Sequence, residues 1–180
     1  MRILKDQTIA MVVDVQERLF PHIHDCELLE KNLKLLVEGV KILEVPFVVT
    51  EQYKKGLGPT IPSLEALVKQ DIHFEKLSFS CCDDPAIIEH IETSTKRYVI
   101  LAGIESHICL LQTAIDLKER GYRPVIVEDC VGSRNPENKR IAINRLLQEG
   151  ITVTSAESLL FELCRVAGNE QFKAISKLVK

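Results

Sequence analysis

The stretch 98–121, YVILAGIESHICLLQTAIDLKERG, constrains the fold of this chain more than any other. Tyr98-Val99-Ile100-Leu101-Ala102 is an apolar, β-branched run with the length of a strand buried on both faces, and Gly103 reads as its stop. A helix is predicted immediately afterwards. Ser106 is a good N-cap, and Leu110, Ala114 and Leu117 repeat at helical spacing beside Leu111 and Ile115. Lys118, Glu119 and Arg120 crowd the last turn, and Gly121 supplies its end. A buried strand that turns straight into a helix is the unit from which parallel sheets are assembled.

The same alternation runs through the chain. Strands are predicted at 8–13, 45–50, 72–75, 98–102, 124–127 and 151–154. Between them, one helix begins at Asp25 or Cys26 and runs to Leu43, and Ser63 caps a short one to Val68 after a loop, 54–62, with two glycines and two prolines. Asp83 or Asp84 with Pro85 opens the next, Asn135-Pro136 opens a helix to Gly150, and Ser155 begins another. Segment 171–179 is amphipathic. Six such runs predict an α/β fold, a three-layer α/β/α domain over residues 1–180 with a six-stranded, mostly parallel, Rossmann-like sheet.

Charge and composition narrow the function. A net charge of −3 with no basic stripe argues against nucleic acid as partner, and no apolar run is long enough to span a membrane. The segment MRILKDQTIAMVVDVQ is charged too early for a secretory signal and reads as the first strand. The six cysteines form no C-x-x-C pair, and the adjacent Cys81 and Cys82 are poorly placed to bridge, so reduced thiols in the cytoplasm are expected.

In a parallel sheet, ligands bind beyond the carboxyl ends of the strands, and Asp14, Glu51, Lys76, Cys109 and Asp129 all fall at or just past such ends. With Ser106 as N-cap, Cys109 lies in the first helical turn, where unpaired N–H groups and the helix dipole favour a thiolate. A free thiol near pKa ~8.5 becomes a nucleophile there; the alternative is that Cys109 is one more small buried residue. A nearby carboxylate could serve as general base, a lysine would keep that carboxylate ionised, and backbone N–H groups of 104–109 could hold an oxyanion. This is acyl transfer without histidine. His107 sits beside the helix position of the thiol but points elsewhere, which suits a pocket or interface role.

These motifs resemble those of the isochorismatase-like cysteine hydrolases, which include isochorismatases, nicotinamidases and carbamoylsarcosine-type amidohydrolases. The matching segments are Asp14-Val15-Gln16 after a hydrophobic strand, Lys76 followed by Phe79-Ser80, the run from Gly103 to Leu110, and Glu128-Asp129-Cys130-Val131-Gly132-Ser133-Arg134. The resemblance implies Cys109 as nucleophile, Asp14 as general base and acid, and Lys76 as electrostatic partner. It also implies a cis peptide between Ile104 and Glu105, with the amides of Glu105 and Cys109 as oxyanion donors. Thr50-Glu51-Gln52-Tyr53-Lys54-Lys55-Gly56-Leu57-Gly58 is similar to the isochorismatase domain-containing branch. Nicotinamidases carry a metal-binding Asp-x-His in this region, and Glu51-Gln52-Tyr53 stands here instead, so no metal and no cofactor are expected.

Phe20, Glu51, Gln52, Tyr53 and His107 are candidates for a substrate pocket, each equally at home in a core or a subunit contact. Glu51 could orient a substrate amide or cap a backbone turn. The reading is a hydrolase cleaving a C–N bond of a small molecule through a thioester at Cys109, in a homo-oligomer, as family members commonly are. The rivals are a vinyl-ether hydrolase, a non-catalytic oligomeric scaffold and a redox protein in which Cys81 or Cys130 resolves Cys109.

Overall fold

The computed structural model of the chain describes residues 2–180. Strands β1 (Thr8–Val13), β2 (Phe47–Gln52), β3 (Ile72–Lys76), β4 (Tyr98–Ile104), β5 (Arg123–Gly132) and β6 (Thr152–Thr154) form one sheet in the order β3-β2-β1-β4-β5-β6. Every neighbouring pair is parallel, so the sheet expected to be mostly parallel is wholly so. The chain winds outward from β1 to β3, returns to β4 and winds the other way to β6. The order therefore reverses between β1 and β4, where an open parallel sheet leaves a crevice beyond its strand ends.

Side chains alternate across each strand, and the two faces build two cores. Ala10, Val12, Val49, Ile100 and Val125 pack beneath α1 (Cys26–Ile42), α3 (Pro62–Val68), α7 (Ala156–Cys164) and α8 (Glu170–Leu178). Ile9, Met11, Val13, Val99, Leu101 and Ile126 pack beneath α4 (Pro85–Thr93), α5 (Leu111–Glu119) and α6 (Pro136–Gln148). The central strands β1 and β4 are buried at every position, which is why they read as unbroken apolar runs rather than alternating ones. Each such Val, Leu or Ile contributes roughly 1.5–3 kcal/mol by leaving water. A single turn, α2 (Lys54–Leu57), lies inside the Gly/Pro-rich loop.

Helix starts follow their capping chemistry. Asp84 accepts hydrogen bonds from the N–H groups of Ala86 and Ile87, Asn135 from Glu137 and Ser155 from Ser158. Ser63 is not a cap, because Pro62 already occupies the first turn of α3 behind Ile61. Gly103 does not stop β4 either. It remains in the strand at φ 117°, where a Cβ would lie 2.1 Å from the Val13 carbonyl oxygen, and only glycine lets the two central backbones meet so closely.

Candidate active site

β1 ends at Val13, and Asp14 then turns into the left-handed region at φ 56°. That turn directs its carboxylate off the strand line. The neighbouring strand holds it there: Asp14 N–H donates to the Thr50 carbonyl at 3.0 Å, and the Thr50 hydroxyl donates to Asp14 Oδ1 at 2.7 Å. Lys76, at the end of β3, reaches across β2 to place its ammonium 2.7 Å from Asp14 Oδ2. The same ammonium donates to Gln52 Oε1 at 2.8 Å and to the carbonyls of Ser78 and Phe79 at 3.2 and 3.3 Å. It has no exposed surface, and burial, the largest influence, would lower its proton affinity; the Asp14 carboxylate together with Cys81 and Cys109 outweighs that, and the net shift is upward.

Cys109 lies on the turn after β4. The structure revises how it is placed. The residue at the N-cap position is Glu105, in extended conformation, while Ser106 is buried and donates to the Gly132 carbonyl at 2.9 Å. The first turn, Ser106–Leu110, is a π-helix in which the N–H groups of Ile108 and Leu110 both donate to the Glu105 carbonyl. Single π turns of this kind recur at functional sites, because they displace one side chain from the helical register. The peptide joining Ile104 and Glu105 is cis.

The Cys109 thiol is buried close enough to the Asp14 carboxylate and to Lys76 to feel both charges. Burial pushes it above the ordinary thiol value, Asp14 adds to that push, and Lys76 opposes it. Burial and the Asp14 carboxylate thus work against the thiolate that a helix N-terminus favours, while the buried Lys76 cation on Asp14 Oδ2 works for it. Cys81, buried behind them beside Thr50 and Thr113, is pushed up to about 11, mainly by burial.

The other sequence candidates have defined places. Glu51 is buried and accepts from the N–H and hydroxyl of Thr60 at 2.8 and 3.1 Å while pairing with Lys54 at 2.6 Å. Burial opposes its ionisation, but Lys54 and Thr60 outweigh burial and leave its carboxyl below the usual value. Of the two roles open to Glu51, the structure displays the cap on the loop turn. Gln52 accepts from Lys76 and donates to the Leu77 carbonyl. Phe20 is packed in the core with Val12 and Ile23. Tyr53 is half exposed over Gly56, and its N–H donates to the Lys76 carbonyl. His107 contacts the Ser133 hydroxyl at 3.0 Å and the Asn138 side chain at 3.4 Å. Asp129 accepts from the Ala156 N–H and so caps α7.

Three contributors were not singled out from the sequence. Gln16, fully buried, grips the main chain on both sides of Gln52 and at Gly58; Thr50 holds Asp14; and Arg134 makes a forked contact with Glu105 through Nε and a terminal nitrogen. A polar residue closing the apolar run 47–49 was the available signal for Thr50, and the motif Asp14-Val15-Gln16 was the signal for Gln16. Shape alone would direct attention elsewhere, to a cleft of about 370 Å³ between α1 and α6 lined by Leu28, Asn32, Ser133 and Lys139. It touches none of Asp14, Lys76 and Cys109, and the charge arrangement outweighs concavity here. Among the described residues no three His, Cys, Asp or Glu side chains gather where a metal ion could sit, and no helix is long and apolar enough to cross a membrane.

The isochorismatase domain model matches residues 8–158. A secreted isochorismatase effector of Phytophthora sojae is 36% identical over 99% of this chain and 87% of its own length. Isochorismatase domain-containing protein 2 of Bos taurus is 36% identical over 99% of this chain and 86% of its own. Among solved structures, that of a MAR1 ribonuclease from Caenorhabditis elegans superposes with a TM-score of 0.93 at 33% identity, covering 99% of this chain and 92% of the other. Fold, strand-end chemistry and these similarities agree that the chain belongs to the isochorismatase family of hydrolases.

Proposed function

We propose that the chain hydrolyses a C–N bond of a small amide, with Cys109 as nucleophile, Asp14 as general base and acid, and Lys76 as the cation that keeps Asp14 anionic. The observation that carries this reading is the Asp14 carboxylate, held 2.7 Å from the Lys76 ammonium on one oxygen and facing the Cys109 thiol. Asp14 takes the thiol proton as Sγ attacks the carbonyl carbon, so charge passes from carboxylate to sulfur to the developing oxyanion. Amide N–H groups of Glu105 and Cys109, on the turn shaped by the cis peptide, receive that oxyanion. The proton on Asp14 then passes to the leaving nitrogen, and an acyl thioester remains. Water, deprotonated by Asp14, releases the acid and restores the thiol.

A net charge of −3 fits a small-molecule substrate better than a ribonuclease reading borrowed from the Caenorhabditis elegans protein's name, since phosphate backbones are bound through clustered Lys and Arg. The test is a panel of small primary amides scored for ammonia release, with intact-mass detection of an acyl adduct on Cys109. Turnover that disappears in Cys109→Ser and Asp14→Asn, with an adduct in the wild type, supports the proposal. Ammonia release that survives Cys109→Ser unchanged overturns the thioester route.

A further inference from the structure

We infer that Thr50 is a positioning residue for this site: it sets the direction of the Asp14 carboxylate that takes the Cys109 proton. The inference rests on the Asp–Lys–Cys reading and deepens it. Thr50 holds Asp14 at two points, because its carbonyl accepts the Asp14 N–H at 3.0 Å and its hydroxyl donates to Oδ1 at 2.7 Å. A non-glycine residue at φ 56° is in a sparsely populated conformation, and such residues persist where surrounding contacts over-determine them. Thr50 supplies both the main-chain and the side-chain half of that constraint from the adjacent strand.

The proton count gives the hydroxyl its specific effect. Asp14 accepts from Lys76 on Oδ2 and from Thr50 on Oδ1, and a hydroxyl has one proton to give. Thr50 has no exposed surface, and the carboxylate oxygen at 2.7 Å is a stronger acceptor for its proton than the neighbouring Cys81 sulfur. With one acceptor site on each oxygen occupied, rotation of the carboxylate about its Cβ–Cγ bond is restrained, and one site on each oxygen is left to take the thiol proton. The titratable groups facing Asp14 are Lys76 from β3, Cys109 from the turn after β4, and Cys81 from the turn before α4.

The variant Thr50→Val keeps the size and β-branching that suit β2 while removing only the hydroxyl; Thr50→Ser keeps the hydroxyl. The probe is iodoacetamide, with labelling of Cys109 followed by peptide mass spectrometry on the folded, full-length chain from pH 5 to 9. In Thr50→Val, labelling near neutral pH falls by about tenfold and the acid limb of its profile moves up by about one pH unit, as expected when a carboxylate loses a charge-assisted donor. Thr50→Ser restores both, and Asp14→Asn slows labelling at every pH. A Thr50→Val profile that overlays the wild type, while Asp14→Asn is slow, overturns the role of Thr50 and leaves the Asp14–Cys109 reading standing. Equal losses in Thr50→Val and Thr50→Ser also overturn it, since packing and not the hydroxyl would then be responsible. Unchanged labelling in Asp14→Asn removes the underlying Asp–Cys reading itself.

Discussion

The Lys76 ammonium and the Asp14 carboxylate form a 2.7 Å ion pair in which neither side chain is more than 1% exposed. Such a pair is held together against a large desolvation cost, and removing one partner strands the other. Lys76→Met therefore costs roughly 3 to 5 kcal/mol in urea unfolding, and Lys76→Met with Asp14→Asn recovers part of it. An unfolding midpoint unchanged in the single variant contradicts the geometry.

The buried thiols make the fold sensitive to alkali. Cys81 and Cys82 are pushed up to about 11 and about 12, chiefly by burial, from an unfolded value near 9.0. Between pH 9 and 11 the folded chain holds protons that the unfolded chain has released, so stability falls as pH rises, by about 1.4 kcal/mol per pH unit for each thiol. Lys76, also shifted upward, acts in the same direction: its contribution is complete below 10.5 and is lost as pH climbs through its higher folded value. Urea unfolding at pH 8, 9 and 10 reads the slope, and Cys81→Ala flattens it. A slope identical in wild type and variant would exclude Cys81 as a source.

Gly103→Ala is the most damaging single methyl in the chain's centre. The added carbon would sit 2.1 Å from the Val13 carbonyl oxygen and 2.7 Å from the Val13 nitrogen, both backbone atoms of the strand that carries Asp14. A loss of more than about 4 kcal/mol, or no soluble protein, is expected; a melting temperature within a few degrees of wild type refutes the close approach.

Arg134 and Glu105 form an uneven partnership, 57% and 3% exposed. Arg134→Ala leaves the Glu105 carboxylate buried with the residue-134 N–H, which now donates at 2.9 Å. The expected cost is about 1–3 kcal/mol. Arg134→Lys keeps the charge but loses the fork, and restores less than half of it. Full restoration by lysine in a thermal melt would mean that charge alone matters here.

The layered fold was legible because β1, β4 and the first half of β5 carry uninterrupted apolar runs that only a sheet covered on both faces can accommodate. Caps at Asp84, Asn135 and Ser155 were legible for an equally local reason, a short acceptor one residue before the first turn. Gly103 misleads in isolation. Its role is fixed by the backbone of β1, some ninety positions earlier in sequence, which no local rule senses. Ser106 has good cap chemistry but is claimed by the Gly132 carbonyl, a contact from a distant strand, and it opens a π turn instead of capping an α-helix.

The candidate site divides along the same line. Asp14, Lys76 and Cys109 stand out as strand-end residues, and the family resemblance added their roles. What the sequence could not convey was the environment. Cys109 was expected to ionise because of its place in a helix, whereas burial and the facing Asp14 carboxylate decide its proton affinity, and both are properties of the assembled sheet. Glu51 was ambiguous for the same reason: its choice depends on Thr60 and Lys54 arriving from the following loop.

The Gln16 side chain hydrogen-bonds to main-chain atoms: the N–H and carbonyl of Gln52 and the carbonyl of Gly58. Nearby, the Arg18 side chain likewise donates only to the carbonyls of Lys55 and Gly56. A fastening that reads backbone and ignores side chains separates two demands on the same loop. The side chains of Lys55 and Leu57 take no part in it, so they can be exchanged while the strand end that presents Gln52 to Lys76 stays in register. The anchor and the surface it anchors are thereby free to change at different rates.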